Sequence, residues 1–118
     1  CWGGTGSFNY AAAQPGLSAA VVYYGNPTLT GEMTYETKLA NVKAPVLGLY
    51  AGNDMRIDAT IPDTEAAMKK LGKSYETHIY EGAGHGFMSA QAGAGGANLK
   101  AAQQSWPLVV AFYKKHLN

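Results

Sequence analysis

Two uninterrupted apolar runs, Ala19-Ala20-Val21-Val22-Tyr23-Tyr24 and Val46-Leu47-Gly48-Leu49-Tyr50, constrain the fold of this chain more than any other feature. A strand with one wet face alternates apolar and polar residues, so an unbroken run of β-formers implies a strand covered on both faces. That environment is the interior of a parallel sheet with helices packed above and below it. Turn signals bound the runs: Gly25-Asn26-Pro27 closes the first and Ala44-Pro45 leads into the second. A third strand is expected over residues 75–80.

The stretches between the strands read as helices. Residues 7–14 have an alanine-rich helical composition and stop at Pro15-Gly16. Residues 28–43 are polar and weakly patterned, with one short helix near 35–40. A loop over 51–59 leads to a helix over 61–71, where Pro62 fits the first turn, Asp63 and Glu65 suit the positive end of the dipole, and Gly72 stops the helix. A glycine segment at 93–96 precedes the last helix, over 98–117. There Trp106, Val109, Val110, Tyr113 and Leu117 fall near one face, and Pro107 is expected to kink or divide the helix. Strands that alternate with helices, without internal repeats, predict an α/β fold with about three parallel strands.

Composition sets the outer limits. The 118 residues allow one domain, and 47% hydrophobic with 14% charged residues is the balance of a globular chain rather than a disordered one. A net charge of +1, with Lys69, Lys70 and Lys73 at a helix end, offers no basic surface for nucleic acid or an anionic membrane. Cys1 is the single cysteine, which excludes an internal disulfide and any multi-cysteine zinc site. The four methionines, Met33, Met55, Met68 and Met88, have no metal-ligand spacing. No apolar run approaches the length of a membrane span.

Chemistry enters through three loops. Functional side chains in a parallel α/β sheet gather where the strands end. Cys1-Trp2-Gly3-Gly4 reads as the second half of a nucleophile elbow, a sharp strand-to-helix turn that needs glycine around the reactive side chain. Asp54 follows the second visible strand in Gly52-Asn53-Asp54, and His85 follows the third in Gly82-Ala83-Gly84-His85-Gly86-Phe87. A thiol with a reference pKa of about 8.5 is mostly protonated at neutral pH and needs a base, which His85 can supply. A carboxylate on the other ring nitrogen would fix the tautomer, a role assigned to Asp54, with Asp58 the competitor placed nearer the next helix as a cap. The N–H of Trp2 would be one oxyanion donor, and its side chain a wall for substrate. The order nucleophile, acid, histidine is that of α/β-hydrolases. His78, in a strand, and His116, at a helix C-terminus, are assigned no catalytic role. Tyr23, Tyr24 and Tyr50 are read as core or strand-end packing.

The segments Cys1-Trp2-Gly3-Gly4, Ala44-Pro45-Val46-Leu47-Gly48-Leu49-Tyr50-Ala51-Gly52-Asn53-Asp54 and Tyr80-Glu81-Gly82-Ala83-Gly84-His85-Gly86-Phe87 together resemble the dienelactone hydrolase (carboxymethylenebutenolidase) family. The resemblance spans nearly the whole chain, including the 31 residues from Asp54 to His85. It implies an α/β-hydrolase fold, a triad at Cys1, Asp54 and His85, and hydrolysis of a small-molecule ester or lactone without metal or organic cofactor. The residues leave the compartment open, and the resemblance favours a cytoplasmic setting. Dienelactone hydrolases proper tend to carry an arginine shortly after the histidine, holding the substrate's carboxylate; this chain has Phe87-Met88-Ser89-Ala90 there. The glutamate with which the family helps to activate the thiol would lie upstream of Cys1.

An elbow half-present at residue 1 implies a single partial domain over residues 1–118, the C-terminal half of a hydrolase whose N-terminal half is its missing partner. Two other readings stand beside it. Cys1 could be an N-terminal nucleophile using its own α-amino group as base, although such hydrolases use stacked antiparallel sheets. Alternatively, the chain could be an inactive fragment or interaction module, with an unpaired edge on the strand at residues 19–24.

Overall fold

A computed structural model of the protein describes residues 2–117. Cys1, the expected nucleophile, lies outside the described residues. The order of elements is α1 (Trp2–Ala13), β1 (Ala20–Tyr23), α2 (Tyr35–Leu39), β2 (Val46–Ala51), α3 (Met55–Asp58), α4 (Ile61–Lys70), β3 (Tyr75–Tyr80) and α5 (Ala97–His116). The three strands form one sheet in the order β1-β2-β3, and both pairings are parallel. The α/β alternation read from the apolar runs is the architecture observed.

Central position explains the sequence of β2. All six of its residues are buried, because strands cover both its edges and helices cover both its faces. Val46 and Tyr50 join Phe8 and Ala11 of α1, Leu39 of α2, and Ile61 and Met68 of α4 in one core layer. Leu47 and Leu49 point the other way, onto Val109 and the partly buried Leu108 and Phe112 of α5. Gly48 leaves room for Tyr50 in the first of these layers: a Cβ there would stand 2.6 Å from the Tyr50 ring. The Tyr50 hydroxyl, 2.6 Å from that of Tyr75, is buried, and burial above all pushes its pKa up to about 12. Among the described residues no strand pairs with the outer edge of β1.

Helix α1 begins at Trp2, upstream of the alanine-rich stretch at residues 7–14, as expected of the helix that follows the elbow. Glycine is a poor helix former, so Gly3, Gly4 and Gly6 hid this first turn and a half from a reading based on propensity. Tertiary contact decides it. A Cβ on Gly4 would lie 1.9 Å from the Tyr23 carbonyl oxygen, and one on Gly25 would lie 2.2 Å from the Thr5 nitrogen. Backbone therefore packs on backbone where α1 crosses the end of β1. The Asn9 side chain secures the junction through two 2.9 Å bonds to Thr28.

Three further expectations change. Residues 51–59, read as a loop, contain the short helix α3. Asp58 ends that helix and does not cap α4, whose N-cap is Thr60. Pro107 neither divides α5 nor interrupts its assignment. It removes one bond to the Gln103 carbonyl, on an exposed stretch where water can satisfy that oxygen. The buried face of α5 is Asn98, Ala101, Ala102, Ser105 and Val109, whereas Trp106 is 55% and Leu117 48% exposed. Small side chains let the helix approach the sheet closely enough for Ser105 Oγ to lie 3.2 Å from the Tyr23 hydroxyl. Apolar periodicity found Val109 of this face but otherwise chose exposed or half-exposed positions.

The glycine junction predicts opposite effects for two substitutions in one helix. Gly4→Ala should lower stability by about 1–3 kcal/mol through forced overpacking. Gly6→Ala, with nothing within 4 Å of the added Cβ, should raise it by roughly 0.5–1 kcal/mol through helix propensity. Urea unfolding midpoints of the two variants check the pair.

Candidate active site

The loops that leave β2 and β3 at their carboxyl ends are stitched together by backbone. Gly52 N–H donates to the Tyr80 carbonyl at 2.8 Å and Asn53 N–H to the Ala83 carbonyl at 3.0 Å. The Asn53 side-chain amide donates to the Gly82 carbonyl at 3.1 Å. Gly52 permits this approach, since a Cβ there would come within 3.0 Å of the Tyr80 oxygen. Asp54 and His85 are thereby held on neighbouring, cross-braced loops.

Asp54 occupies the N-cap of α3, yet its side chain makes no capping bond. An aspartate at this position ordinarily accepts from the backbone N–H groups of the first turn. Here Oδ2 is spent on Nδ1 of His85 instead. The carboxylate is buried, 9% exposed at the side chain, while the imidazole is 36% exposed. The pair thus has a dry end that orients and a wetter end that can meet a reactant. With Nδ1 donating to the carboxylate, Nε2 is the nitrogen left to accept a proton, and it has no partner among the described residues.

Two side chains to which sequence reading gave no role at the site support the His85 loop. Asn98, buried in the first turn of α5, accepts from Gly84 N–H at 2.8 Å through Oδ1 and donates to the Ala90 carbonyl at 2.9 Å through Nδ2. The sequence signal was an asparagine just inside a helix, where the side chain competes with backbone bonding and so suggests a loop clamp. Tyr24 packs its ring on the imidazole, with ring centroids 5.0 Å apart. It had been read as packing alone.

The remaining expected residues fall as follows. Trp2 opens α1, where backbone N–H groups lack intrahelical acceptors, and its side chain is 90% exposed. His78 pairs with Glu76 on β3 at 2.7 Å, and His116 packs against Phe112, so neither joins Asp54 or His85. Asp58 lies near Asp54 without touching His85. Its Oδ1 is buried with no hydrogen-bond partner among the described residues. Among those residues no three His, Cys, Asp or Glu side chains could hold a metal ion, and no helix is long and apolar enough to cross a membrane. A groove of about 380 Å³ runs between the start of α1 and β1, lined by Gly3, Ser7, Val21, Tyr23, Tyr24 and Met88 among others. Another, of about 390 Å³ between α4 and β3, touches neither Asp54 nor His85.

A parallel sheet covered by helices, with a carboxylate after one strand bonded to an imidazole after the next, defines an α/β-hydrolase fold. Comparison with known proteins is specific about the branch. A description of the "Dienelactone hydrolase family" matches residues 1–117, and the chain belongs to that family. Relatives named "Putative carboxymethylenebutenolidase" include one from Saccharolobus solfataricus, 36% identical over 98% of this chain and 42% of its own length. One from Yersinia pestis is 36% identical over 98% of this chain and 45% of its own. The crystal structure of a "Putative Dienelactone Hydrolase" from Klebsiella pneumoniae superposes with a TM-score of 0.78 at 30% identity, covering 97% of this chain and 49% of that one. The chain therefore spans about half the length of the relatives it matches.

Asp58 generates a prediction about pH. Burial first, and the charge of Asp54 second, raise its pKa above the ordinary 3.8. The folded state then holds the Asp58 proton more tightly than the unfolded chain, so this carboxylate erodes stability as pH rises through that window. Asp58→Asn should raise the thermal unfolding midpoint at pH 7, and the gain should shrink as pH falls through the raised pKa toward 3.8 and vanish below it. Melting curves across pH 3–7 check it.

Proposed function

We propose that this chain is the part of an ester or lactone hydrolase that carries its nucleophile, acid and base: Cys1, Asp54 and His85. The bond between the Asp54 carboxylate and His85 Nδ1 is the observation that carries the reading. Family membership over residues 1–117 supports the reaction class. His85 Nε2 takes the proton from the Cys1 thiol, and the thiolate attacks the carbonyl carbon of the substrate. Asp54 holds the imidazole in the required tautomer and stabilises the imidazolium. Negative charge that collects on the carbonyl oxygen is met by the Trp2 N–H and by a second donor from an earlier loop of the full protein. Collapse of the tetrahedral intermediate expels the alkoxide, which takes the proton from His85 and leaves a thioester. Water, deprotonated by His85, then attacks the thioester, releasing the acid and regenerating the thiol.

The chain carries no arginine after His85, and the groove beside Tyr24 and Met88 is mainly apolar in its lining. Both features favour an uncharged acyl group or lactone ring over a substrate anchored by its carboxylate. The open outer edge of β1 and the half-length match to relatives support a missing N-terminal half of the same domain. On that basis the 118 residues alone should hydrolyse little, since losing one oxyanion donor costs about 10²–10³ in rate. The parallel strands favour this reading over an N-terminal-nucleophile enzyme.

Turnover of p-nitrophenyl acetate by the full-length protein tests the proposal. Cys1→Ala should abolish it, His85→Ala should reduce it by about 10²–10⁴, and Asp54→Asn, which preserves shape but not the tautomer, should cost up to about 10⁴. Unchanged turnover in Cys1→Ala or His85→Ala would sink the reading.

A further inference from the structure

Tyr24 is held in an unusual way for a residue that merely fills space. Its φ of 39° lies in the left-handed region, where an L side chain is strained. Its N–H nevertheless donates to the Leu49 carbonyl at 2.7 Å, so the turn is locked into the end of the sheet. Gly25, directly after it, presses backbone to backbone on Gly4 and Thr5 of α1. The ring is 6% exposed and lies between His85, with centroids 5.0 Å apart and planes at 58°, and Phe87, at 5.1 Å and 76°. Its hydroxyl hydrogen-bonds the backbone of Met88, three residues beyond the histidine.

The geometry points to Tyr24 as a positioning residue that fixes the plane of the His85 imidazole and ties it to helix α1. A single bond from Nδ1 to Asp54 leaves the ring free to swing about that contact. An aromatic ring packed against the imidazole, and itself unable to move, removes that freedom and sets the direction in which Nε2 points. Strain is tolerated where such precision is needed. Because Gly25 rests on α1 while the Tyr24 ring rests on His85, one dipeptide sets the spacing between the elbow helix and the base. This inference rests on the hydrolase reading above.

The test uses the full-length protein with Tyr24→Asn, Tyr24→Leu and Tyr24→Phe, each checked for native circular dichroism, beside His85→Ala. Asparagine tolerates the left-handed backbone and removes the ring; leucine retains apolar bulk without an aromatic face. Both ring-free variants should lose on the order of 10²-fold in kcat toward p-nitrophenyl acetate, the scale of a misplaced catalytic group, with KM little changed. Tyr24→Phe should restore most of the loss. The low-field Nδ1–H proton resonance of His85 should shift or broaden in the ring-free variants and persist in Tyr24→Phe. Parent-like kcat and an unaltered resonance in the ring-free variants, with His85→Ala inactive, would overturn the positioning role and leave the triad standing. Retained turnover in His85→Ala would instead remove the hydrolase reading on which the role depends.

Discussion

Two-sided burial of β2 is the constraint from which the rest of the molecule follows. A strand with all six residues buried cannot sit at an edge or face water, so it demands a neighbour on each side and a helix layer on each face. The side chains of Val46, Leu47, Leu49 and Tyr50 each favour burial by roughly 1.5–3 kcal/mol, divided between the α1/α2/α4 layer and α5. Parallel neighbours require helical crossovers, which bring the carboxyl ends of the strands to the same end of the sheet. The convergence of Asp54 and His85 is a consequence of that topology.

Convergence alone would leave two flexible loops near each other, and it is backbone contact that turns proximity into geometry. Gly52, Asn53 and Asn98 tie the loops with hydrogen bonds that involve neither the Asp54 nor the His85 side chain. Asp54 gives up the cap that its position at the start of α3 would allow and directs its carboxylate at His85. Asp58, with a buried oxygen that no group among the described residues satisfies, is a second local departure from stability. Tyr24 is a third. Local rules broken at neighbouring points of the fold fit the site proposed for Asp54 and His85, because strain survives only where the surroundings over-determine it.

The β-strands were legible because burial on both faces writes itself into composition: unbroken β-former runs at residues 19–24 and 46–50 became β1 and β2. Helix α5 was legible in extent but not in orientation. Its large residues Trp106 and Leu117 caught the eye, while close approach to the sheet selected Ala101, Ala102 and Ser105. Similarly, Gly3 and Gly4 read as the turn of an elbow, whereas both lie inside α1, where the Tyr23 carbonyl occupies the space of the side chain that Gly4 lacks. In both cases the sequence scale measured a residue's own preference, whereas the deciding quantity was the distance to another segment.

From sequence by itself come the α/β class, the placement of a carboxylate and an imidazole after successive strands, and the family resemblance that comparison then established. Those features are local or ordinal: they depend on runs, turns and order along the chain, which any reader of the residues can count. Only the tertiary structure decided that Asp54, and not Asp58, binds His85, that α3 exists, and that Tyr24 lies against the imidazole. These depend on which atoms share a few ångströms of space after the chain has closed, and residues 24, 54 and 85 meet there because the sheet brings together loops that are far apart in sequence.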